Sequence, residues 1–216
     1  MSNNLKKRIY TSLILILLLL FMFMSNYVLG YFLVVIGILS ILEFFKMTMI
    51  IQKKNKINQL ILNLFFVVYI FSLCSVFLIL SSLYNLKVLI FIILITCIAS
   101  DIGGFVFGKI LKGPKLTKLS PNKTVSGSIG SLIFSSITTT LLVYDLNSNF
   151  DFNIVLLGCI ISIACQAGDL FFSYIKRKSE LKDTSDILPG HGGVLDRIDG
   201  ILLGLPIGFL TLLILY

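Results

Sequence analysis

Residues 88–107 read VLIFIILITCIASDIGGFVF, and Asp101 is the one charged residue in this stretch. A bilayer core requires a helix of about 20 mostly apolar residues, with about 17 to 25 as the usual range. The stretch has this length and therefore predicts a transmembrane helix. The apolar runs on either side of this stretch predict six more spans, at 9–24, 27–45, 60–83, 126–144, 154–172 and 201–216. The expected fold is an all-α, polytopic bundle of about seven transmembrane helices.

The composition of the whole chain agrees with this fold class. Of its 216 residues, 57% are hydrophobic, and the mean hydropathy is +1.02, whereas soluble domains have about 45 to 50% apolar residues. We expect one membrane domain, 1–216, with the N-terminal helices in 1–98 and a second region in 99–216. The four cysteines, at 74, 97, 159 and 165, lie in apolar runs without CxxC spacing, which predicts packing rather than disulfides or a zinc site.

The basic residues indicate the orientation of the bundle. With the N-terminus in the cytoplasm, all 18 Lys and Arg residues except Lys87 fall on the cytoplasmic side, as the positive-inside rule requires. We therefore expect a cytoplasmic N-terminus and a C-terminus outside. The net charge of +8 is then a topology signal, and a nucleic-acid partner is not expected. The first apolar run is expected to be a retained span, because Ser25 and Asn26 offer no small-residue cleavage site.

This topology places three further polar segments in the cytoplasm. The first, KMTMIIQKKNKINQ at 46–59, lacks carboxylates and histidine, and its lysines are expected to meet anionic lipid headgroups. Glu43 is assigned no role, since a helical ion pair with Lys46 accounts for it. The other two segments, loops 108–126 and 173–199, hold three of the four prolines, four of the eight aspartates, five glycines and the only histidine, which are residue types that a chemical site needs.

Two acidic residues lie within or beside apolar spans on the cytoplasmic side. Asp101 follows LIFIILITCIAS, and Asp169 lies within IACQAGDLFF. An ionisable group at such a depth costs about 2.5 to 3.5 kcal/mol on insertion scales and is a functional candidate by default. Both are therefore candidates for the site.

The stretch LPGHGGVLDRIDG, residues 188–200, combines a turn with two further aspartates. Residues three apart share a helical face, so Asp196 and Asp199 are expected to direct two carboxylates to a common point. Hard oxygen ligands in this arrangement suit Mg²⁺ together with substrate phosphates, and free N–H groups at a helix N-terminus favour phosphate. His191, the only histidine, could donate to phosphate or transfer a proton, and both roles remain open.

Cations and hydroxyl groups in the two loops indicate a phosphate-rich ligand. The residues concerned are Lys118, Ser120, Lys123 and Thr124 in the first loop, and Lys176, Arg177, Lys178 and Lys182 in the second. Together with the aspartates they predict a membrane enzyme with its site at the cytoplasmic headgroup level. Its expected reaction class is phosphoryl or nucleotidyl transfer, with Mg²⁺ and a second substrate from the bilayer.

The stretch SYIKRKSELKDTSDILPGHGGVLDRID, residues 173–199, resembles the signature of the phosphatidate cytidylyltransferases, also called CDP-diacylglycerol synthases. SDIGGFVFGK, LSPNKTVSGSIGS and AGDL resemble the other sequence blocks of that family, in the same order. Where the family commonly has Trp-Glu after Ser-Pro-x-Lys-Thr, this chain has Val125 and Ser126. The departure puts an acidic group at that place in doubt.

The resemblance implies that phosphatidate attacks the α-phosphorus of CTP, giving CDP-diacylglycerol and pyrophosphate in phospholipid biosynthesis. It implies a metal site for Mg²⁺ at Asp169, Asp196 and Asp199, with a second, monovalent cation left open. Further catalytic candidates are Lys182, His191 and Arg197. The substrate-binding candidates are Asp101, Ser120, Lys123, Thr124, Lys176, Arg177, Gly192 and Gly193. The expected location is the inner (plasma) membrane, and the expected catalytic region is 99–216.

Two other functions fit parts of the sequence. A CTP-dependent kinase of a lipid alcohol, such as a polyprenol or phytol kinase, would attack the γ-phosphorus instead. A transporter would line a cation path with Asp101 and Asp169, but the two halves show no repeat, and the acidic residues lie on one side. Small residues such as GSIGS permit packing in a homodimer.

Overall fold

The computed structural model describes residues 3–117, 120, 123–188 and 192–215, with side chains from residue 13 onward except that of Asn147. The regular elements in this part of the chain are seven α-helices: α1 (Asn3–Met24), α2 (Asn26–Ile51), α3 (Lys56–Ser81), α4 (Tyr84–Leu111), α5 (Val125–Asn147), α6 (Phe152–Lys178) and α7 (Leu195–Leu215). The predicted all-α fold is therefore confirmed.

Six of the seven helices are long and apolar enough to cross a membrane, and these are α2 to α7. Within the residues whose side chains are described, the apolar part of α1, Leu13–Met24, is shorter than the roughly 17 residues that a span requires. The chain is thus a multi-span membrane protein. The cytoplasmic location of its N-terminus stays a prediction.

Most of the helices run past their predicted span ends, although α3 ends at Ser81, two residues before its predicted end. The predicted spans counted apolar residues only, whereas a helix continues into polar sequence until its backbone is capped. At the end of α4, Lys112 (φ 53°) and Gly113 (φ 117°) turn the chain. At the end of α6, the Ser179 hydroxyl donates to the carbonyls of Ile175 and Lys176. The predicted loops 108–126 and 173–199 accordingly shorten to 112–124 and 179–194.

The chain divides into two compact units. Unit 1 comprises Met1–Lys87 and Ile175–Ile198, and unit 2 comprises Val88–Tyr174 and Asp199–Tyr216. In unit 1, α2 packs on α3, with the rings of Phe44 and Phe66 stacked at 3.9 Å. A hydrogen bond of 2.7 Å from the Thr48 hydroxyl to Asn63 joins the same two helices. This packing fixes the part of α2 that carries Glu43.

In unit 2, glycines bring α4 and α5 into backbone contact. A Cβ added to Gly103 would lie 2.6 Å from the Gly130 carbonyl oxygen, and one added to Gly127 would lie 2.7 Å from the Gly104 carbonyl oxygen. Small residues at such crossings let membrane helices approach closely. Gly127 and Gly130 belong to the GSIGS stretch, whose small residues also permit packing in a homodimer. Since they are used inside the chain, they give no support to a homodimer, which stays a prediction.

Polar and sulfur-containing side chains also join the helices of unit 2. Hydroxyl pairs connect Thr96 with Thr139 at 3.0 Å and Ser100 with Ser162 at 2.8 Å, as interhelical hydrogen bonds do in membrane proteins. Cys97 and Cys165 are buried. A Cβ on Gly204 of α7 would lie within 3 Å of the sulfur atoms of both cysteines. The structure therefore agrees with the packing role predicted for these two cysteines.

Candidate functional site

The final turn of α6 and the first turn of α7 are joined by a buried ion pair in unit 1. The Lys176 ammonium donates to Asp196 Oδ1 at 2.7 Å, and the two side chains are only 12% and 6% exposed. Lys176 ends α6 together with Arg177 and Lys178, where cations interact favourably with the helix dipole. Two predicted site residues that lie 20 positions apart in the sequence are thus in direct contact.

Asp196 also organises the segment that precedes it. Its Oδ2 atom accepts from the Thr184 N–H at 2.8 Å, the Thr184 hydroxyl at 3.0 Å and the Gly193 N–H at 3.0 Å. A carboxylate has about four lone-pair sites, so these three donors and Lys176 use its acceptor capacity. A metal ion on Asp196 would therefore have to bind on the side of Oδ1, where Lys176 now donates.

Glu43 of α2 also binds this segment. From the sequence alone, Glu43 is assigned no role. The predicted ion pair with Lys46 does not account for this carboxylate, which is 4% exposed. Four donors from the segment surround it: the Thr184 hydroxyl (2.8 Å), the Ser185 hydroxyl (2.5 Å), the Val194 N–H (3.0 Å) and the Leu195 N–H (2.8 Å). The signal that could have found Glu43 is the one applied to Asp101 and Asp169, namely an ionisable residue in an apolar helix.

Three N–H groups at the N-terminus of α7 are already used by carboxylates. The Gly193 N–H donates to Asp196, and the Val194 and Leu195 N–H groups donate to Glu43. These carboxylates lie where the helix dipole favours negative charge. These three N–H groups are therefore not free to donate to phosphate, which makes the cationic side chains the main candidates for that role.

The two glycines before α7 have packing reasons for their lack of a side chain. Gly192 has φ +81°, and a Cβ there would lie 2.9 Å from Asp196 Oδ2. A Cβ on Gly193 would lie 2.0 Å from the Thr184 hydroxyl and 2.6 Å from Glu43 Oε1. Both positions were predicted to bind substrate. The structure gives them a role in keeping the carboxylates close to the backbone.

A second ion pair, between Lys123 and Asp169, lies in unit 2. The ammonium donates to Asp169 Oδ2 at 2.5 Å, and the two side chains are 32% and 19% exposed. In the loop before α5, the Lys123 N–H donates to the Ser120 carbonyl at 3.0 Å. Thr124, another predicted substrate ligand, caps α5 by accepting from the Gly127 N–H at 3.1 Å. This more open pair is accessible to a ligand.

Two predicted metal ligands flank the crossing of α6 and α7 in unit 2. A Cβ on Gly168 would lie 2.5 Å from the Asp199 carbonyl oxygen, and one on Gly200 would lie 3.3 Å from Asp169 Oδ1. The Asp199 carboxylate is buried and accepts from the Gly200 N–H at 3.0 Å. Close helix approach therefore depends on the two glycines that adjoin Asp169 and Asp199.

The remaining predicted residues are more exposed. Arg177 and Lys182 are exposed in unit 1, on α6 and on the segment before α7, and Arg197 is exposed on α7. Asp101 is exposed on α4 in unit 2. His191 lies outside the described residues, as does Lys118.

The donor chemistry of these residues suits a hard cation. Carboxylate oxygens are the ligands that Mg²⁺ prefers, and Asp169 and Asp199 supply them on either side of the α6–α7 crossing. Among the described residues, no three His, Cys, Asp or Glu side chains form a group that could hold a metal ion by themselves. Mg²⁺ in such proteins commonly retains waters and takes further ligands from substrate phosphates, which fits a set of few carboxylates.

The comparisons of this chain with known proteins agree on one protein family. Residues 4–215 match the sequence profile described as the Cytidylyltransferase family. The protein named "Phosphatidate cytidylyltransferase" from Rickettsia prowazekii is 30% identical over 217 residues, covering 96% of this chain and 92% of that protein. The one from Rickettsia bellii is 37% identical over 82% of this chain and 76% of that protein. The one from Helicobacter pylori is 39% identical over 52% of this chain, and the match spans only 42% of that protein.

Proposed function

The chain belongs to the cytidylyltransferase family, and we propose that it transfers the cytidylyl group of CTP to phosphatidate, giving CDP-diacylglycerol and pyrophosphate. The observation that carries the proposal is the match to the Rickettsia prowazekii protein over 96% of this chain and 92% of that one. The geometry agrees with it, because Lys123 and Asp169 of two separate sequence blocks form one ion pair, and Lys176 and Asp196 of the signature form another.

The reaction moves a phosphorus atom between two anionic oxygens. A phosphate oxygen of phosphatidate forms a bond to the α-phosphorus of CTP, and the bond from that phosphorus to the bridging oxygen of the β-phosphate breaks. The electron pair of the broken bond leaves with pyrophosphate. Since the nucleophile is already anionic, a strong general base is not required. The main barrier is the repulsion between two polyanions, which fixed positive charge reduces.

The basic residues of the chain supply that charge. Lys123 and Lys176 are held in position by Asp169 and Asp196, so little side-chain freedom is lost when they meet a phosphate. Arg177, Lys182 and Arg197 are exposed, and guanidinium groups bind phosphate oxygens in a bidentate manner. We assign these five side chains to the phosphates of the two substrates.

Mg²⁺ is part of the proposal. Asp169 and Asp199 would hold it, and Asp196 is the third predicted ligand. When bound, the ion would neutralise triphosphate oxygens and stabilise the charge on the departing pyrophosphate. A role for His191 in proton transfer is not needed by this chemistry, and its proposed task is to donate to phosphate.

The proposed location follows from the chemistry of the substrates. CTP is a soluble nucleotide, whereas phosphatidate is a membrane lipid, so the site must lie at the headgroup level. The distribution of Lys and Arg supports a site that faces the cytoplasm. We place the protein in the inner (plasma) membrane, with phosphatidate taken from the cytoplasmic leaflet.

Purified protein in detergent tests the proposal through pyrophosphate release. With CTP, Mg²⁺ and phosphatidate, we expect release that stops when any one of the three is omitted. Replacing phosphatidate by diacylglycerol, which lacks the phosphate nucleophile, is the matched control and should give no release. Equal release with diacylglycerol, or without a lipid, would contradict the proposal.

A further inference from the structure

We propose that Glu43 of α2 is a positioning residue for the nucleotidyl-transfer site, in which its buried carboxylate holds both ends of residues 184–195 and thereby orients the Lys176–Asp196 pair toward CTP. The inference rests on the proposed function and deepens it, because it gives α2 a task in the same reaction. Its evidence lies entirely within unit 1.

The contacts of Glu43 converge from two places in the sequence. One oxygen accepts from Ser185 and Val194, and the other accepts from Thr184 and Leu195. Each oxygen therefore joins the beginning of the segment to its end. A side chain that merely filled space on α2 would not require this pattern.

The energetics favour a dedicated role over a packing role. An ionised carboxylate that leaves water has a large desolvation cost unless hydrogen bonds compensate it. Glu43 is 4% exposed, and four donors match its acceptor capacity. An apolar residue would occupy this buried position without that cost. The hydrogen bonds that the carboxylate accepts order the polar segment that leads into α7.

A short chain of hydrogen bonds links Glu43 to the lysine. The Thr184 hydroxyl lies 2.8 Å from Glu43 Oε2 and 3.0 Å from Asp196 Oδ2, and Asp196 Oδ1 accepts from Lys176. A hydroxyl has one proton, so Thr184 is shared between the two carboxylates. A change at Glu43 therefore alters the donors that remain for Asp196 and, through it, the position of Lys176.

Glu43 acts through other groups rather than on substrate. Its oxygens are used by the segment, and its burial leaves almost no surface for a ligand. Because the inference directs the Lys176–Asp196 pair to the phosphates of CTP, substitution of Glu43 should affect the binding of CTP more than that of phosphatidate. It should also loosen the segment without changing α6.

The test compares Glu43→Gln and Glu43→Asp with the control Ser40→Ala in the full-length protein in detergent. Gln keeps the shape of Glu, but its amide nitrogen cannot accept hydrogen bonds. Ser40 is also buried on α2, and its hydroxyl donates to the Ile36 carbonyl of the same helix. The readouts are the KM values for CTP and for phosphatidate, kcat, and deuterium uptake at Val194 and Leu195.

For Glu43→Gln we expect the KM for CTP to rise about tenfold or more, with the KM for phosphatidate changed less than about twofold. Deuterium uptake at Val194 and Leu195 should increase, while uptake within α6 stays unchanged. Glu43→Asp, which retains the charge on a shorter side chain, should recover part of both effects. Ser40→Ala should resemble the wild type.

Wild-type kinetics and wild-type exchange in Glu43→Gln would overturn the inference. A loss of kcat and of thermal stability with both KM values unchanged would also overturn it, since that is the result of a structural role alone. If Glu43→Gln does not fold, Ser185→Ala removes one donor to Glu43 from the opposite side. It should raise the KM for CTP about threefold, and an unchanged KM and unchanged exchange would reject the inference.

The failure of this inference differs from the failure of the proposed function. If the wild type releases no pyrophosphate from CTP and phosphatidate, the proposed function is rejected. The inference is rejected with it, although the exchange data still report whether Glu43 holds the segment. If the wild type is active and Glu43→Gln matches it, only the inference is rejected.

Discussion

Two lysines each donate to one aspartate, yet their surroundings differ. The Lys176–Asp196 pair is 12% and 6% exposed, whereas the Lys123–Asp169 pair is 32% and 19% exposed. Breaking a buried pair leaves an uncompensated charge, while an exposed pair contributes little to stability. The two pairs should therefore respond differently to loss of the lysine.

We predict that Lys176→Met lowers both the melting temperature and the activity, with a stability loss of about 3 kcal/mol. Lys123→Met should lower activity by about tenfold or more and change stability by less than about 1 kcal/mol. Thermal unfolding and pyrophosphate release on the same preparations measure both quantities. Equal melting temperatures for the two variants would contradict this assignment.

The carboxylates should matter more than the histidine. We expect Asp196→Asn and Asp199→Asn to reduce kcat by about 100-fold or more, because each removes charge from the proposed metal site. His191→Ala should reduce it less, since the anionic nucleophile needs no base. Measured kcat values for the three variants compare these roles, and an equal or greater loss in His191→Ala would argue for proton transfer.

The sequence predicted which single residues are chemically important better than it predicted which residues they contact. It singled out Asp169, Asp196 and Lys176, and the structure places each in an ion pair. It missed Glu43 because a lysine three residues later offered a local explanation. The four donors to Glu43 lie more than 140 positions away in the sequence, and helical spacing carries no information about such contacts.

At the scale of helices, the sequence predicted α2 to α7 well because an apolar run of sufficient length has few alternatives in a bilayer. The ends of the helices were predicted less well, since capping and not hydropathy determines them. The α4–α5 crossing was also not predicted. GSIGS permits close packing, but the sequence does not specify the helix against which it packs.

That crossing gives a test with a matched control. A Cβ on Gly130 would lie 2.4 Å from Phe107 Cβ, whereas one on Gly30 would find its nearest neighbour, the end of the Leu78 side chain, at 3.5 Å. We predict that Gly130→Ala destabilises the protein by about 1 to 3 kcal/mol through overpacking. Gly30→Ala should be neutral or slightly stabilising, because alanine has the higher helix propensity. Thermal unfolding in detergent measures both, and a stable Gly130→Ala variant would contradict the crossing.

At the scale of the whole molecule, the orientation in the membrane rests on the distribution of charge. The loop between α6 and α7 should face the cytoplasm, and the loop between α5 and α6 should face outside. In a variant without the native cysteines, Asn149→Cys should react with an impermeant thiol reagent in intact cells. Lys182→Cys should react only after the cells are opened. The reverse pattern would reject the proposed topology.

The fold and the family were predictable because both depend on long stretches of sequence: the apolar runs for the fold and the 27-residue signature for the family. The detailed arrangement of unit 1 was not predictable, since a buried glutamate, two hydroxyl groups and two helix-terminal N–H groups form it through long-range contacts. Those contacts connect α2 to the chemistry of the signature. Helix α2 is therefore more than a membrane anchor.

The fate of the phosphorus atoms of CTP tests the central claim most directly. Purified protein is incubated with phosphatidate, Mg²⁺ and CTP labelled either at the α-phosphorus or at the γ-phosphorus, and the lipid is then extracted. Transfer of the cytidylyl group predicts that the α-label enters the lipid while the γ-label leaves in pyrophosphate. Entry of the γ-label into lipid, with the α-label left in CDP, would contradict the account and indicate a lipid kinase.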